Sequence, residues 1–265
     1  MPAAKRRPHS ERDRRRRILS QNFLGGPHAV GLFMSMVDVG PDDLVLEVGA
    51  GEGTLTVALA QRCREVVAYE IDSHLMPRLR ERTGDCGNVR VVADDFLAAH
   101  PPAERFQVVG NVPFAITSRV VDWCLQAREL ASATIITQLE YAKKRTGSYG
   151  RWSLLTVDTW PWFSWELRGK MTRDQFRPRP SVDAGVLRLT RREQALIPRG
   201  RAVAYRRMVE VGFGGVGGSL YRSLVKQYPR ERVDAAFRAA GLRHDLIVAF
   251  ATPDDWLQIF SVLSS

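Results

Sequence analysis

Residues 44–56, LVLEVGAGEGTLT, limit most tightly what this chain can fold into. Leu44, Val45, Leu46 and Val48 make an apolar run broken only by Glu47. Gly49, Gly51 and Gly53 follow, and an apolar pattern resumes at Leu55, Ala58 and Leu59. A buried strand, a tight turn and a helix start read this way. Glycines let the backbone approach a ligand closely, and the helix start offers unpaired N–H groups. Glu70 closes the next apolar run, Val66, Val67, Ala68 and Tyr69. A carboxylate about 20 residues past the glycines is placed to hold a ribose hydroxyl pair.

Two details separate the cofactor classes. A dinucleotide fingerprint puts its last glycine where this chain has Thr54. Glu47 stands just ahead of the loop, where an acid disfavours a pyrophosphate but tolerates a cationic amino-acid moiety. S-adenosylmethionine (SAM) is therefore favoured over NAD, and a glycine turn with no ligand is the plain alternative.

Downstream the chain alternates. Residues 66–70, 89–92, 106–109, 133–139 and 182–189 read as strands, and 75–83 and 116–125 as helices. A helix with Val30, Phe33, Met34 and Val37 on one face precedes them. This rhythm predicts an α/β fold, a parallel sheet with helices on both faces. Ligands in such sheets sit beyond the carboxyl ends of the strands, and Glu70, Asp95 and Asn111 all fall at such ends. Asp95 can accept a hydrogen bond from an adenine amino group, with Phe96 packing the ring, or it can serve as a helix N-cap.

The catalytic candidate is Gly110-Asn111-Val112-Pro113-Phe114. An adenine's exocyclic amine is a poor nucleophile, because its lone pair is delocalised into the ring. The Asn111 side-chain oxygen and the Val112 carbonyl could accept from its two N–H groups and turn the lone pair toward a sulfonium methyl. Pro113 restrains the loop, and Phe114 offers a face for stacking. No strong base is needed, because the amine becomes very acidic once it has attacked. The catalysis is positioning and electrostatics.

With 265 residues, 45% of them hydrophobic, the chain has room for a large domain plus a small one. No apolar run reaches membrane-spanning length and no apolar stretch backs the arginine-rich start, so a cytoplasmic location is expected. Cys63, Cys86 and Cys124 are scattered and the five histidines do not cluster, so neither disulfide nor metal is expected. The net charge of +10 calls for a polyanionic partner. Much of it lies in Lys5, Arg6, Arg7, Arg12, Arg14, Arg15, Arg16 and Arg17, a flexible tail that could follow a phosphate backbone or simply be solvated.

Further on, Lys143, Lys144 and Arg145 mark a basic helix. Trp152, Trp160, Trp162 and Trp165 read mostly as a hydrophobic wedge. Phe176, framed by Arg177, Pro178, Arg179 and Pro180, suits clamping a flipped base. From Arg191 helices take over, at 203–213, 219–228, 230–240 and 253–263. Arg201, Arg206, Arg207, Arg222, Lys226, Arg230 and Arg232 decorate them. They read as a helical domain that helps to hold nucleic acid, or as a plain cap with a solvated face.

Gln21-Asn22-Phe23-Leu24, residues 47–53 (EVGAGEG), Glu70-Ile71-Asp72, Asp95-Phe96-Leu97, residues 110–114 (GNVPF) and residues 176–180 (FRPRP) stand in one order. In that order they resemble the ribosomal RNA adenine N6-methyltransferases, over about residues 18–265. That family comprises the Erm macrolide-resistance enzymes and the KsgA-type dimethyladenosine transferases. The Asn-Val-Pro-Phe loop and the stretch Gln138-Leu139-Glu140-Tyr141-Ala142-Lys143-Lys144 are more similar to the Erm branch.

The resemblance implies a Rossmann-like SAM-dependent domain followed by a small helical one. The expected domains are a basic tail at 1–17, a catalytic domain at 18–190 and an RNA-binding domain at 191–265. It implies SAM contacts from Asn22, Leu24, Gly49, Gly51, Glu70, Asp95 and Asn111. Asn111, Val112, Pro113, Phe114 and Phe176 would surround the target adenine. Phe114 stands where the family more often has Tyr, which keeps the stacking face and loses the hydroxyl. The implied activity is methylation of one adenine in 23S rRNA by a monomer, blocking macrolide, lincosamide and streptogramin B binding. A KsgA-type 16S rRNA dimethylase and a non-catalytic rRNA-binding assembly factor are the alternatives.

Overall fold

The structure, a computed structural model, describes residues 22–148, 150–215 and 218–264. The arginine-rich segment and Gln21 lie outside these residues. The chain divides into two compact units. One holds the residues up to Leu139 together with Arg168–Leu187, and the other holds Glu140–Leu167 with Arg188 onward. The sequence reading cuts the chain at 190/191 instead. Segment 140–167 joins the helices because Trp152, Val157 and Trp162 pack into the helical core.

The first unit begins with β1 (Phe23–Leu24), α1 (Pro27–Met34), β2 (Leu44–Val48), α2 (Thr54–Ala60), β3 (Glu65–Tyr69) and α3 (Met76–Thr83). Then come β4 (Val89–Val92), β5 (Phe106–Asn111), α4 (Thr117–Gln126) and β6 (Leu130–Gln138). β7 (Phe163–Met171), β8 (Phe176–Arg177) and β9 (Ala184–Arg191) complete the strands. Seven of them form one sheet in the order β4-β3-β2-β5-β6-β9-β7. β2 runs parallel to β3 and β5, β3 to β4, and β5 to β6. The expected α/β, Rossmann-like architecture is the one found.

The chain builds outward one way from β2 through β3 and β4, then returns to β2's other side with β5 and continues to β6. The order thus reverses between β2 and β5, and that reversal opens a crevice at their carboxyl ends. All five residues of β2 are buried, as a strand covered on both faces requires. β2 and β5 come so close at this point that a Cβ on Gly110 would lie 2.6 Å from the Val48 carbonyl oxygen. Only glycine fits there.

Three strands were not legible. β7 alternates inward Phe163 and Trp165 with partly exposed residues, a period hidden by the density of aromatics around it. β1 and β8 pair antiparallel, Phe23 with Arg177 and Leu24 with Phe176. Each is two residues long, too short to leave a periodicity.

In the second unit α5 (Leu139–Arg145) is the expected basic helix, followed by α6 (Leu154–Thr159), α7 (Ala202–Phe213), α8 (Leu220–Leu224), α9 (Arg230–Ala239) and α10 (Pro253–Leu263). α8 is shorter than the helix expected at 219–228. The core gathers Tyr205, Phe237, Trp256 and Phe260, and the Tyr205 hydroxyl donates to the Val157 carbonyl at 3.0 Å. The tryptophans act as structural packing here. Trp152 meets Trp160 edge-on at 5.6 Å, and the Trp165 ring N–H donates to Thr159 Oγ1 at 3.1 Å. Among the described residues no helix is long and apolar enough to cross a membrane.

Candidate active site

The crevice at the carboxyl ends of β2, β3 and β5 is a cavity of about 300 Å³, walled in part by Asn22, Gly49, Glu70, Asp95, Asn111 and Pro113. That is the size of a small-molecule site. A second cavity, about 70 Å³, shares Phe23, Gly49 and Asn111 with it and adds Leu24.

Glu70 follows the last residue of β3 and is buried. One carboxylate oxygen accepts the Gly51 N–H at 2.7 Å and the other accepts the Asp72 N–H at 2.7 Å. Each oxygen has a second lone pair, so a hydroxyl pair can still donate to both. Burial raises the pKa of this carboxyl, and the Asp72 and Gly51 N–H groups oppose the rise. The glycine loop gains its shape from left-handed φ at Gly49, Gly51 and Gly53. A Cβ on Gly51 would meet the Phe23 ring at 2.9 Å, so β1 lies close over the loop.

Asp95 caps a turn and also lines the cavity. One oxygen caps the 3₁₀ turn Phe96–Ala98 by accepting the Leu97 N–H at 3.0 Å. Its other oxygen has no partner among the described residues. Phe96 is buried beneath, 5.5 Å from Tyr69 and 4.5 Å from Trp123 between ring centres.

Asn111 is the last residue of β5. Its side-chain Nδ2 donates to the backbone carbonyl of Asn22. A carbonyl oxygen only accepts, so this bond settles which way the amide faces, and Oδ1 is left as an acceptor. Val112 anchors the loop with a side chain 1% exposed. Pro113 precedes the 3₁₀ turn Phe114–Ile116, and Phe114 is half-buried against the core.

Phe176 is not brought to the cavity. Its ring is 1% exposed and belongs to the hydrophobic core, because β8 pairs with β1 and turns it inward. The cations and prolines around it suggested an exposed clamp.

The cavity wall also holds residues that the sequence reading did not single out. Ile71, 59% exposed, lines it beside Glu70. An aliphatic side chain left open to solvent on a cavity wall offers a flat apolar contact for a ring. Its one sequence signal is that it follows the strand-end carboxylate. Tyr69, Ile116 and Arg119 join the wall through tertiary placement alone.

These residues suit an adenosine-bearing cation. The wall carries carboxylates at Glu70 and Asp95, the glycine loop borders it at Gly49 while Gly51 stands behind with its N–H on Glu70, and the buried Glu47 beside it has both oxygens unpartnered. They fit SAM. The profile of the family described as "Ribosomal RNA adenine dimethylase" matches residues 12–265. The chain belongs to the rRNA adenine methyltransferase family. It is 53% identical over 252 residues to an rRNA adenine N-6-methyltransferase of Streptomyces fradiae, covering 94% of this chain and 79% of the relative. It is 51% identical over 260 residues to an rRNA methyltransferase of Streptomyces thermotolerans, covering 98% and 87%. The crystal structure of the 23S rRNA methyltransferase ErmE superposes with a TM-score of 0.88 at 47% identity, covering 92% of this chain and all of that one. In this family's terms the chain is an Erm-type methyltransferase, SAM-dependent as the family is.

Proposed function

We infer that the chain methylates the N6 amino group of one adenine in 23S rRNA, as a cytoplasmic monomer, and thereby confers resistance to macrolides, lincosamides and streptogramin B. The observation that carries this reading is the Asn111 amide. Its nitrogen is committed to Asn22, so its oxygen is oriented to accept from an adenine amine at the switch-point crevice. With the Val112 carbonyl as second acceptor, the amine's lone pair turns out of the ring and toward the methyl donor. SAM, when bound, supplies an electrophilic methyl on a positively charged sulfur.

The residues of this chain orient and exclude. Glu70 would hold the ribose, Asp95 the adenine edge, and Gly49, Gly51, Asn22 and Leu24 the remainder of SAM. Phe114 would stack on the target base, which leaves its own stack at a cost of a few kcal/mol. For Phe176 the buried position supports a role in backing β1 rather than touching the base. The helical unit, with the basic segment before residue 18, would hold RNA by phosphate contacts. Some of its cations are already engaged: Arg206 with Asp158 at 3.2 Å, and Arg230 with the Tyr221 hydroxyl at 3.3 Å.

Primer extension on 23S and 16S rRNA after incubation with SAM tests the proposal. A SAM-dependent stop at one adenine of the 23S molecule is expected, abolished by Asn111→Ala with RNA binding retained. A stop only on the 16S molecule, or none with wild type, would overturn it.

A further inference from the structure

Glu47 is a buried carboxyl that packing does not explain. It is the fourth of the five residues of β2, between Leu46 and Val48, and wholly buried. Neither carboxyl oxygen has a hydrogen-bond partner, and the hydroxyl of the buried Thr56 has none either. An ionised carboxylate in such a place is strongly disfavoured unless a cation or donors compensate it. A group left in this condition in the middle of a sheet asks for a ligand. One is within reach. Glu47 lines the 70 Å³ cavity with Gly49, Thr54 and Asn111, and that cavity abuts the larger one through Gly49 and Asn111.

The charged groups around Glu47 sharpen the question. Glu70, after β3, and Glu52, in the glycine loop, are both acidic. Arg78 on α3 is paired with Glu52 at 3.4 Å, and Arg82 on α3 is bonded to the Thr54 hydroxyl. Cys63, beyond α2, feels the Glu47 charge and is itself a buried thiol whose pKa burial raises to about 11. No cation among the described residues forms an ion pair with Glu47. Burial raises its pKa to about 8, and the Glu70 charge adds to the rise.

We propose that Glu47 is a neutral acid in the empty enzyme and gives up its proton when the ammonium group of the donor's amino-acid end enters the small cavity, so that donor binding releases one proton. This rests on the reading that the large cavity takes SAM. The balance is simple. The carboxyl O–H bond breaks, the proton passes to water or buffer, and a carboxylate–ammonium pair replaces an unpaired acid. Glu47 is then a positioning residue. It fixes the amino-acid end, and with it the direction in which the sulfonium methyl faces Asn111.

The test is calorimetry of SAM binding to the full-length protein at pH 6.5, where the donor's ammonium is charged, in buffers of different ionisation enthalpy. Wild type is expected to release about one proton per SAM, and Glu47→Gln none. Below pH 7.5 wild-type affinity should rise about tenfold per pH unit, as a one-proton linkage requires, while Glu47→Gln stays flat. 5′-Methylthioadenosine, which lacks the amino-acid end, is expected to bind wild type without proton release. That arm needs no variant, so a folding failure in Glu47→Gln leaves the proposal testable. SAM bound with no proton released, or equal release with 5′-methylthioadenosine, overturns the proposal and leaves the SAM reading intact. No SAM binding by wild type overturns the SAM reading itself.

Discussion

Gly110→Ala tests whether the approach of β2 and β5 positions the catalytic loop. The added Cβ would lie 2.6 Å from the Val48 carbonyl oxygen and 3.2 Å from the Val48 nitrogen and Cβ. The first contact falls 0.4 Å short of the 3.0 Å that real Cβ atoms keep. Two of the three neighbours are backbone atoms of a fully buried central strand, so no rotamer change relieves the clash. Overpacking a core costs about 1–3 kcal/mol, and a backbone-against-backbone clash belongs in the upper half, about 2–3 kcal/mol. At roughly 3 °C per kcal/mol for a unit of this size, the Tm should fall by about 6–9 °C. β5 must also slide or tilt away from β2, and Asn111 is the very next residue. A displacement of about 1 Å at a reacting group is worth about a hundredfold in rate. Thermal melts and initial rates of labelled methyl transfer to a 23S rRNA transcript measure both effects. A Tm within about 2 °C of wild type, with a rate within twofold, would refute the argument that this contact sets the loop's position.

Glu70→Ala should weaken SAM binding at least tenfold while leaving RNA affinity nearly unchanged, measured by calorimetry and filter binding. Equal losses would contradict the ribose assignment. Deleting residues 1–17 should lower RNA affinity and flatten its dependence on salt without changing SAM affinity, and an unchanged slope would make that segment a bystander. Gly212→Ala, inside α7, should destabilise the helical unit by about 1–3 kcal/mol despite the roughly 1 kcal/mol that alanine gains in a helix. Its Cβ would lie 2.2 Å from the Trp256 ring and 2.8 Å from Leu220. A higher Tm in that variant would show that the ring moves aside freely.

The residues most legible in the sequence are those whose position follows from the alternation of strands and helices. Glu70, Asp95 and Asn111 each end a strand or follow one closely, and a parallel sheet gathers such ends on one side. All three line the same cavity. Asp95 shows why a single residue was ambiguous: the cap and the cavity wall are the same carboxyl group. Phe176 misled because arginine and proline neighbours suggest exposure, whereas the two-residue ladder with β1 decides which way the ring points. Segment 140–167 was grouped with the sheet for a related reason. Its tryptophans show that it packs, but a count of aromatics does not tell against which core. Arg119 reaches the wall through folding alone, and no local period marks it.

The pairing of Phe23 and Leu24 with Arg177 and Phe176 joins stretches from opposite ends of the sheet unit's sequence. During synthesis the early partner leaves the ribosome long before the late one exists. The flank that carries Asn22, and with it the tether that orients Asn111, therefore stays open until residue 177 has emerged. In the nascent chain six of the seven sheet strands, β2 to β7, precede this pairing, and β9 alone follows it.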